Sequence, residues 1–372
     1  MEQRRLKTAV VGCGSISGIY LSNMTERFTN LEVVECCARG MESAKRRAKE
    51  FGIRACTYEE ILKDGEIELV VILTPAPTHY ELIRKALEAG KHVYTEKTMT
   101  IDQKSAKELV ELSNQKGLYL GSAPDTFLGS SLQTARRAID EGMIGEVTSF
   151  TANANRNLDI LAGAHEFLRM PGGGIGYDYG VYYLTALVSL LGPARSVAAR
   201  VKNRKEVRIN AFKESPEYGQ EFVYPNESQV MAILEMENGI TGNFQLNGDC
   251  VRGDLAVFYI YGTKGILKLT DPNQFGGTVE FIPGEGGEII KLRNELPYSE
   301  NSRGVGVAEM ADAILEGRKN LASKELAYHV LDIIEQMMKS SETGSFCPVS
   351  SSCERPEVFT DGGRLMRKEK MI

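Results

Sequence analysis

Short apolar runs alternate with stretches of helical periodicity through the first 120 residues, and few folds accommodate that order. Lys7–Val11, Leu31–Cys37, Leu69–Leu73, His92–Thr95 and Leu118–Leu120 read as buried strands. Helical stretches lie between them: one through Met24, one over Met41–Phe51 stopped by Gly52, and one opened by the capping box Thr57-Tyr58-Glu59-Glu60. Two more cover Tyr80–Ala89, stopped by Gly90, and a segment capped by Asp102 that runs to Gln115 before Gly117. Strands separated by helices predict a parallel, doubly wound sheet. Ligands of such sheets bind beyond the carboxyl ends of the strands. Thr74, Pro75, Glu96 and Lys97 all fall at that edge, and Lys97 is expected to face the crevice.

The same edge carries Gly12-Cys13-Gly14-Ser15-Ile16-Ser17, placed after the first strand and before a helix. This is the dinucleotide fingerprint with Ser17 in the place of its third glycine. Gly12 makes the tight turn, Gly14 lets backbone approach a pyrophosphate, and the third position needs only a small residue. An acidic residue about 20 residues further on would hold a ribose 2′-hydroxyl. Here Ala38-Arg39 stands there. Alanine removes the carboxylate that would repel a 2′-phosphate and arginine supplies its partner. The expected cofactor is NAD(P), with NADP favoured and Glu35 near enough to keep NAD open. Gly12, Gly14, Ser15, Ile16, Ala38 and Arg39 are the predicted cofactor residues of the first two strand ends. Thr74, Pro75, His79, Glu96 and Lys97 are those of the next two.

After Gly121 the pattern changes. One helix is expected over Phe127–Glu141. Strand-like runs then dominate: Val147–Asn157, Val197–Ile209, Gln229–Met236, Ile240–Asn247, Leu255–Tyr261 and Thr278–Ile282, with Asn238-Gly239 as a hairpin signal. Strands without intervening helices predict a large open, mostly antiparallel sheet, so the second half is expected to be α+β. Helices are expected over Asp178–Leu191, Val307–Leu315 and Lys324–Ser340. Asp178 follows the glycines Gly172-Gly173-Gly174 and lies four residues before Tyr182, on one helical face. Asn153, Asn155 and Asn157 alternate along one strand face, and His165 precedes the glycines, so Asn155 and His165 are candidates for contacting a polyol. The expected domains are 1–121 for the dinucleotide, 122–345 for substrate and oligomerisation, and an irregular tail over 346–372.

The length of 372 residues exceeds one ordinary core. Lys and Arg number 44 against 50 Asp and Glu, a net charge of -6 that argues against nucleic acid or an anionic membrane as partner. The seven cysteines are scattered and the four histidines do not cluster, so no metal site is expected. Met1-Glu2-Gln3-Arg4-Arg5-Leu6-Lys7 begins like a leader, but the apolar run stops at Gly12, too short for one. No later run is long enough to span a bilayer. A cytoplasmic protein is the expectation.

Three segments together carry a resemblance. Gly12-Cys13-Gly14-x-Ile16, Glu96-Lys97 after Gly90-Lys91-His92-Val93, and Gly172-Gly173-Gly174-x-x-x-Asp178-x-Gly180 resemble the glucose–fructose oxidoreductase/inositol dehydrogenase (Gfo/Idh/MocA) family. The likeness extends to Ser341-Glu342-Thr343-Gly344 after the last helix. It implies a Rossmann domain followed by an open-sheet domain, and oxidation or reduction of sugars, inositols and their derivatives. The family's catalytic lysine falls on Lys97 and its substrate-orienting aspartate on Asp178. Its usual histidine is Tyr182 here, as in glucose–fructose oxidoreductase-like and dihydrodiol dehydrogenase-like members, and Thr98 stands where a proline commonly follows the lysine. The implied catalytic residues are Lys97, Asp178 and Tyr182. A tyrosine, with an ordinary pKa of about 10, would need a nearby ammonium to serve as a base. Two other functions share these residues: a glycosidase working by transient oxidation and elimination, and a cofactor-binding sensor without catalysis. A sheet with an uncovered face predicts homodimers or homotetramers.

Overall fold

The computed structural model describes residues 4–361 and 363–366. The chain forms two compact units, each assembled from separated stretches. The first contains the described residues up to Gly129, Leu296–Tyr328, and those from Phe359 onward; the second contains Ser130–Glu295 and His329–Val358.

In the first unit the predicted alternation is realised. The elements are β1 (Leu6–Val11), α1 (Ser17–Ser22), β2 (Leu31–Cys37), α2 (Met41–Phe51), β3 (Arg54–Ala55), α3 (Tyr58–Lys63), β4 (Leu69–Ile72), α4 (His79–Glu88), β5 (His92–Thr95), α5 (Gln103–Lys116) and β6 (Leu120–Ser122). The six strands pair in the order β3-β2-β1-β4-β5-β6, all parallel. The order reverses direction between β1 and β4, where a doubly wound sheet opens its ligand crevice. β4 is buried at every residue, as a central strand covered on both faces must be. The Thr57 capping box forms as expected, and Asp102 caps α5 by accepting from Ser105 N at 2.8 Å.

The second unit begins with α6 (Ser130–Asp140), shorter than the expected helix because a separate 3₁₀ turn covers Thr126–Leu128 and Gly129 intervenes. β7 (Val147–Asn155), α7 (Leu158–Ala164), α8 (Val181–Leu191), β8 (Ala194–Lys202), β9 (Val207–Ile209), β10 (Glu221–Val223), β11 (Gln229–Met236), β12 (Thr241–Asn247), β13 (Val257–Gly262), β14 (Gly265–Lys268), β15 (Glu280–Pro283) and β16 (Ile290–Lys291) follow. The single strand expected over Val197–Ile209 is two. β8 lies in the large sheet, and β9 leaves it to pair with β10 in a two-stranded sheet of its own. α9 (Val305–Glu316) belongs to the first unit; α10 (Lys324–Thr343) precedes β17 (Cys347–Pro348), which extends the large sheet beside β8. β17 opens the predicted tail, of which residues 362 and 367–372 lie outside the described residues.

The large sheet has nine strands in the order β16-β15-β14-β13-β7-β12-β11-β8-β17. Every neighbouring pair is antiparallel except β7 and β12, so the sheet is mixed. One face carries Phe150, Ala152, Phe244, Leu246, Phe258 and Ile260, all buried. α8 packs there: the Tyr183 and Phe258 rings are 5.6 Å apart. Every residue of α8 is buried, which accounts for its nearly unbroken apolar sequence. The opposite face carries Thr151, Asn153, Tyr259, Tyr261, Met231 and Ile233, the last two exposed.

Candidate functional site

In the first unit the predicted cofactor residues gather at the carboxyl edge of the sheet. Gly12 ends β1 with φ +110, and its N–H donates to Cys37 O at 2.9 Å. A Cβ there would stand 2.8 Å from the Leu73 carbonyl, so the turn is open to glycine alone. Gly14 is the reverse case. It is exposed, and a Cβ built on it meets nothing within 4 Å. The room beside Gly14 is what a pyrophosphate pressed onto backbone requires. Ser17 does more than stay small: its hydroxyl donates to Gly14 O at 2.6 Å and accepts from Arg47 Nε at 3.1 Å. Arg47 also donates to Gly14 O, tying α2 to the loop.

Ala38 and Arg39 follow β2. Arg39 is exposed and makes no hydrogen bond or ion pair among the described residues. Glu35, the residue that kept NAD open, is engaged elsewhere: it is buried, ion-paired with Arg54, and accepts from Cys56 Sγ. The loop residues thus fit a dinucleotide, with a guanidinium and no available carboxylate at the end of β2.

Thr74 and Pro75 follow β4, and Thr78 Oγ1 donates to Thr74 Oγ1 at 2.7 Å. His79 is fully buried, with Nε2 2.7 Å from Thr74 O and Nδ1 2.7 Å from Thr98 O. Each ring nitrogen lies beside a main-chain carbonyl, one following β4 and one following β5; burial pushes the pKa down, and the neutral ring donates its one N–H to one of the two. Glu96 is likewise an anchor. It is buried and accepts from Tyr20 Oη at 2.7 Å and from Lys97 N at 3.0 Å. Burial first, then the Glu96 charge, holds the Tyr20 hydroxyl protonated far above its ordinary range. Lys97 itself is half-buried, and its peptide bond to Thr98 is cis.

In the second unit Asp178 and Tyr182 lie on one continuous helical segment. A wide π-type turn over Gly176–Gly180 holds Asp178 and leads into α8, which holds Tyr182. The expected regular helix from Asp178 therefore begins with a wider turn. Asp178 is half-buried and Tyr182 is 8% exposed. Tyr179 between them donates its hydroxyl to Asp271, and Arg156 stacks 3.7 Å from its ring centroid. The Tyr179 and Tyr182 rings are 6.0 Å apart, so this buried assembly also packs Tyr182. Arg156, Tyr179 and Asp271 gave no signal in the sequence, because their contacts join residues more than 20 positions apart.

Two predicted polyol contacts lie elsewhere. Asn155 occupies the open face of the large sheet, in step with Asn153 and Thr151, and donates to Leu255 O at 3.2 Å. α8 covers the other face, because the period of a strand is two. Asn157 is not on that strand face at all; it caps α7 by accepting from Ile160 N. His165 is exposed at the end of α7, with its ring 5.7 Å from that of Phe167. Among the described residues no cluster could hold a metal ion, and no helix is long and apolar enough to cross a membrane.

Two family models match the chain: an oxidoreductase family with an NAD-binding Rossmann fold over residues 6–123, and the GFO/IDH/MocA C-terminal domain over residues 132–268. The chain belongs to the Gfo/Idh/MocA family. An uncharacterised oxidoreductase of Schizosaccharomyces pombe is 32% identical over 206 residues, 54% of this chain and 56% of that protein. The chain thus spans little more than half the length of that relative. The scyllo-inositol 2-dehydrogenase (NADP(+)) of Bacillus subtilis is 23% identical over 91% of this chain and 94% of its own. A levoglucosan dehydrogenase, solved with NADH and L-sorbose, shares the fold with a TM-score of 0.82, at 19% identity, covering 93% of this chain and 99% of that one.

The two glycines should separate on substitution. Gly12→Ala is expected to cost roughly 1–3 kcal/mol of stability, measured by urea unfolding, because it strains the backbone against Leu73. Gly14→Ala should leave the unfolding midpoint nearly unchanged and weaken dinucleotide binding, measured by titration of NADPH fluorescence.

Proposed function

We propose that the protein is an NAD(P)-dependent oxidoreductase that moves hydride between the cofactor and a carbinol or carbonyl carbon of a sugar, polyol, inositol or glycoside, with NADP preferred. The observation that carries this reading is the shared edge of the first unit. The open Gly14 loop, the exposed Arg39 and the half-buried Lys97 follow β1, β2 and β5 of one parallel sheet. When bound there, the dinucleotide supplies the hydride donor or acceptor. The remaining work falls to the chain. Gly12 and Gly14 bring backbone to the pyrophosphate, and Arg39 pairs with a 2′-phosphate. The name of the B. subtilis relative specifies NADP, whereas the levoglucosan dehydrogenase holds NADH. Arg39 together with the engaged Glu35 favours the former here.

Lys97 serves as the proton carrier at the reacting oxygen, Asp178 accepts a hydrogen bond from a substrate hydroxyl, and Tyr182 offers a hydroxyl to the same substrate. Glu96 and His79 are positioning residues that hold the main chain on either side of Lys97. The substrate class rests on the relatives, whose names specify an inositol and whose solved complex holds a sugar.

Incubation with a panel of sugars, polyols and glycosides, following NADPH absorbance and released aglycone together, tests the reaction. Net absorbance change is expected. Aglycone release without it would identify a glycosidase, and neither signal would leave a binding function. Lys97→Met should abolish turnover while NADPH still binds, and Tyr182→Phe should lower it by about two to four orders of magnitude. Full activity in Lys97→Met would overturn the assignment. Arg39→Ala should weaken NADP binding and spare NAD; equal affinities in the wild type would contradict the preference.

The uncovered sheet face supports a second proposal, homodimers joined sheet to sheet and possible pairing into tetramers. Met231 and Ile233, 42% and 48% exposed, lie on that face with Tyr259 and Tyr261. Light scattering at micromolar concentration should give at least twice the chain mass; a monomer would contradict it.

A further inference from the structure

The glycine turn before Asp178 is built around an acid that the proposed reaction does not use. Glu227 lies in the connection between β10 and β11, some 50 positions from the turn it touches, and is half-buried. Its side chain accepts from Gly176 N at 2.9 Å, and the amide of Tyr177 points to it as well. Its own carbonyl accepts from Ile175 N at 3.1 Å. Tyr224 fastens both partners, with its hydroxyl 3.2 Å from Gly173 O and 3.3 Å from Glu227 O. The fit excludes any side chain on Gly174, where a Cβ would come within 2.0 Å of the Glu227 carboxyl atoms. The last glycine of the run is therefore a seat for this carboxyl group.

We infer that Glu227 is the positioning residue for Asp178, its seated carboxyl fixing the segment Gly174–Asp178 from beneath. The inference rests on the reading of Asp178 as the substrate-orienting group. Burial pushes the Glu227 carboxyl up to about 7, against the pull of the amides of Gly176 and Tyr177 and with help from the Asp178 charge. The groups facing it are Asp178 and the Tyr177 amide from the turn and Tyr224 from its own connection. Arg208 and Asp249 stand beyond Tyr224. The α10 and β11 groups nearest the same spot, Met338 and Val230, are apolar. The sign follows from the raised value. The seat is most stable with Glu227 protonated, below about 4.5, and loses that stability as pH rises through about 7.

Hydrogen–deuterium exchange of the peptide covering residues 173–180, in the full chain at pH 6 and pH 8 and corrected for intrinsic rates, reads this directly. A carboxyl moved from 4.5 to about 7 predicts about tenfold less protection at pH 8 in the wild type. Glu227→Gln, which keeps the shape without the charge, should lose that pH dependence. Glu227→Ala should lose protection at both pH values and, with scyllo-inositol or L-sorbose as probe, turn over about 100-fold more slowly with unchanged NADPH affinity. A wild type without the pH dependence, or Glu227→Gln retaining it, would overturn the inference, as would wild-type turnover in Glu227→Ala. Failure of the wild type on every sugar and polyol would instead count against the proposed reaction, and the exchange result would still decide the role of Glu227.

Discussion

Both units depend on backbone that passes where no side chain could. In the first, β1 turns against Leu73 so closely that a Cβ on Gly12 would press into a carbonyl 2.8 Å away. That turn lets β1 end beside β4 at the reversal of strand order and leaves Gly14 facing open space. In the second, Gly174 lies over the Glu227 carboxyl and sets the start of the segment that carries Asp178 and Tyr182. In each case the missing side chain permits close approach, to the Leu73 main chain at one turn and to the Glu227 carboxyl at the other.

Around these turns the structure spends buried polar groups on main chain. His79 spans two strand ends, Glu96 holds the amide of Lys97, and Asp125 accepts from the amides of Gly304 and Gly306. Burial pushes the Asp125 carboxyl up to about 6 against those two donors. Such groups are costly to bury alone and rigidify what they bridge when satisfied. In the first unit they hold the main chain around Lys97 on a fixed frame.

The parallel sheet was legible because its signals are local. Apolar runs, capping residues and the glycine fingerprint each span a few positions, and β1 to β6 fall on them. The same local reading failed at Val197–Ile209, where strand-like residues continue through a departure into a second sheet that only tertiary pairing fixes. For Asn155, alternation identifies a strand face without saying which face α8 covers, and the structure places it on the face away from α8. Nor did the local reading show that the side chains of His79 and Glu96 lie buried against main chain and Tyr20. Glu227 was invisible: nothing in Asn226-Glu227-Ser228 marks a partner of the glycine run 50 positions earlier.

Transfer of isotope tests the central claim most directly. NADPH carrying deuterium on the reactive face of nicotinamide C4 would be incubated with the protein and a mixture of keto-sugars and inosose, and the products read by mass spectrometry. The account predicts deuterium on a carbinol carbon with the wild type and none with Lys97→Met. Label that stays on the cofactor in both, or appears equally in both products, would contradict it.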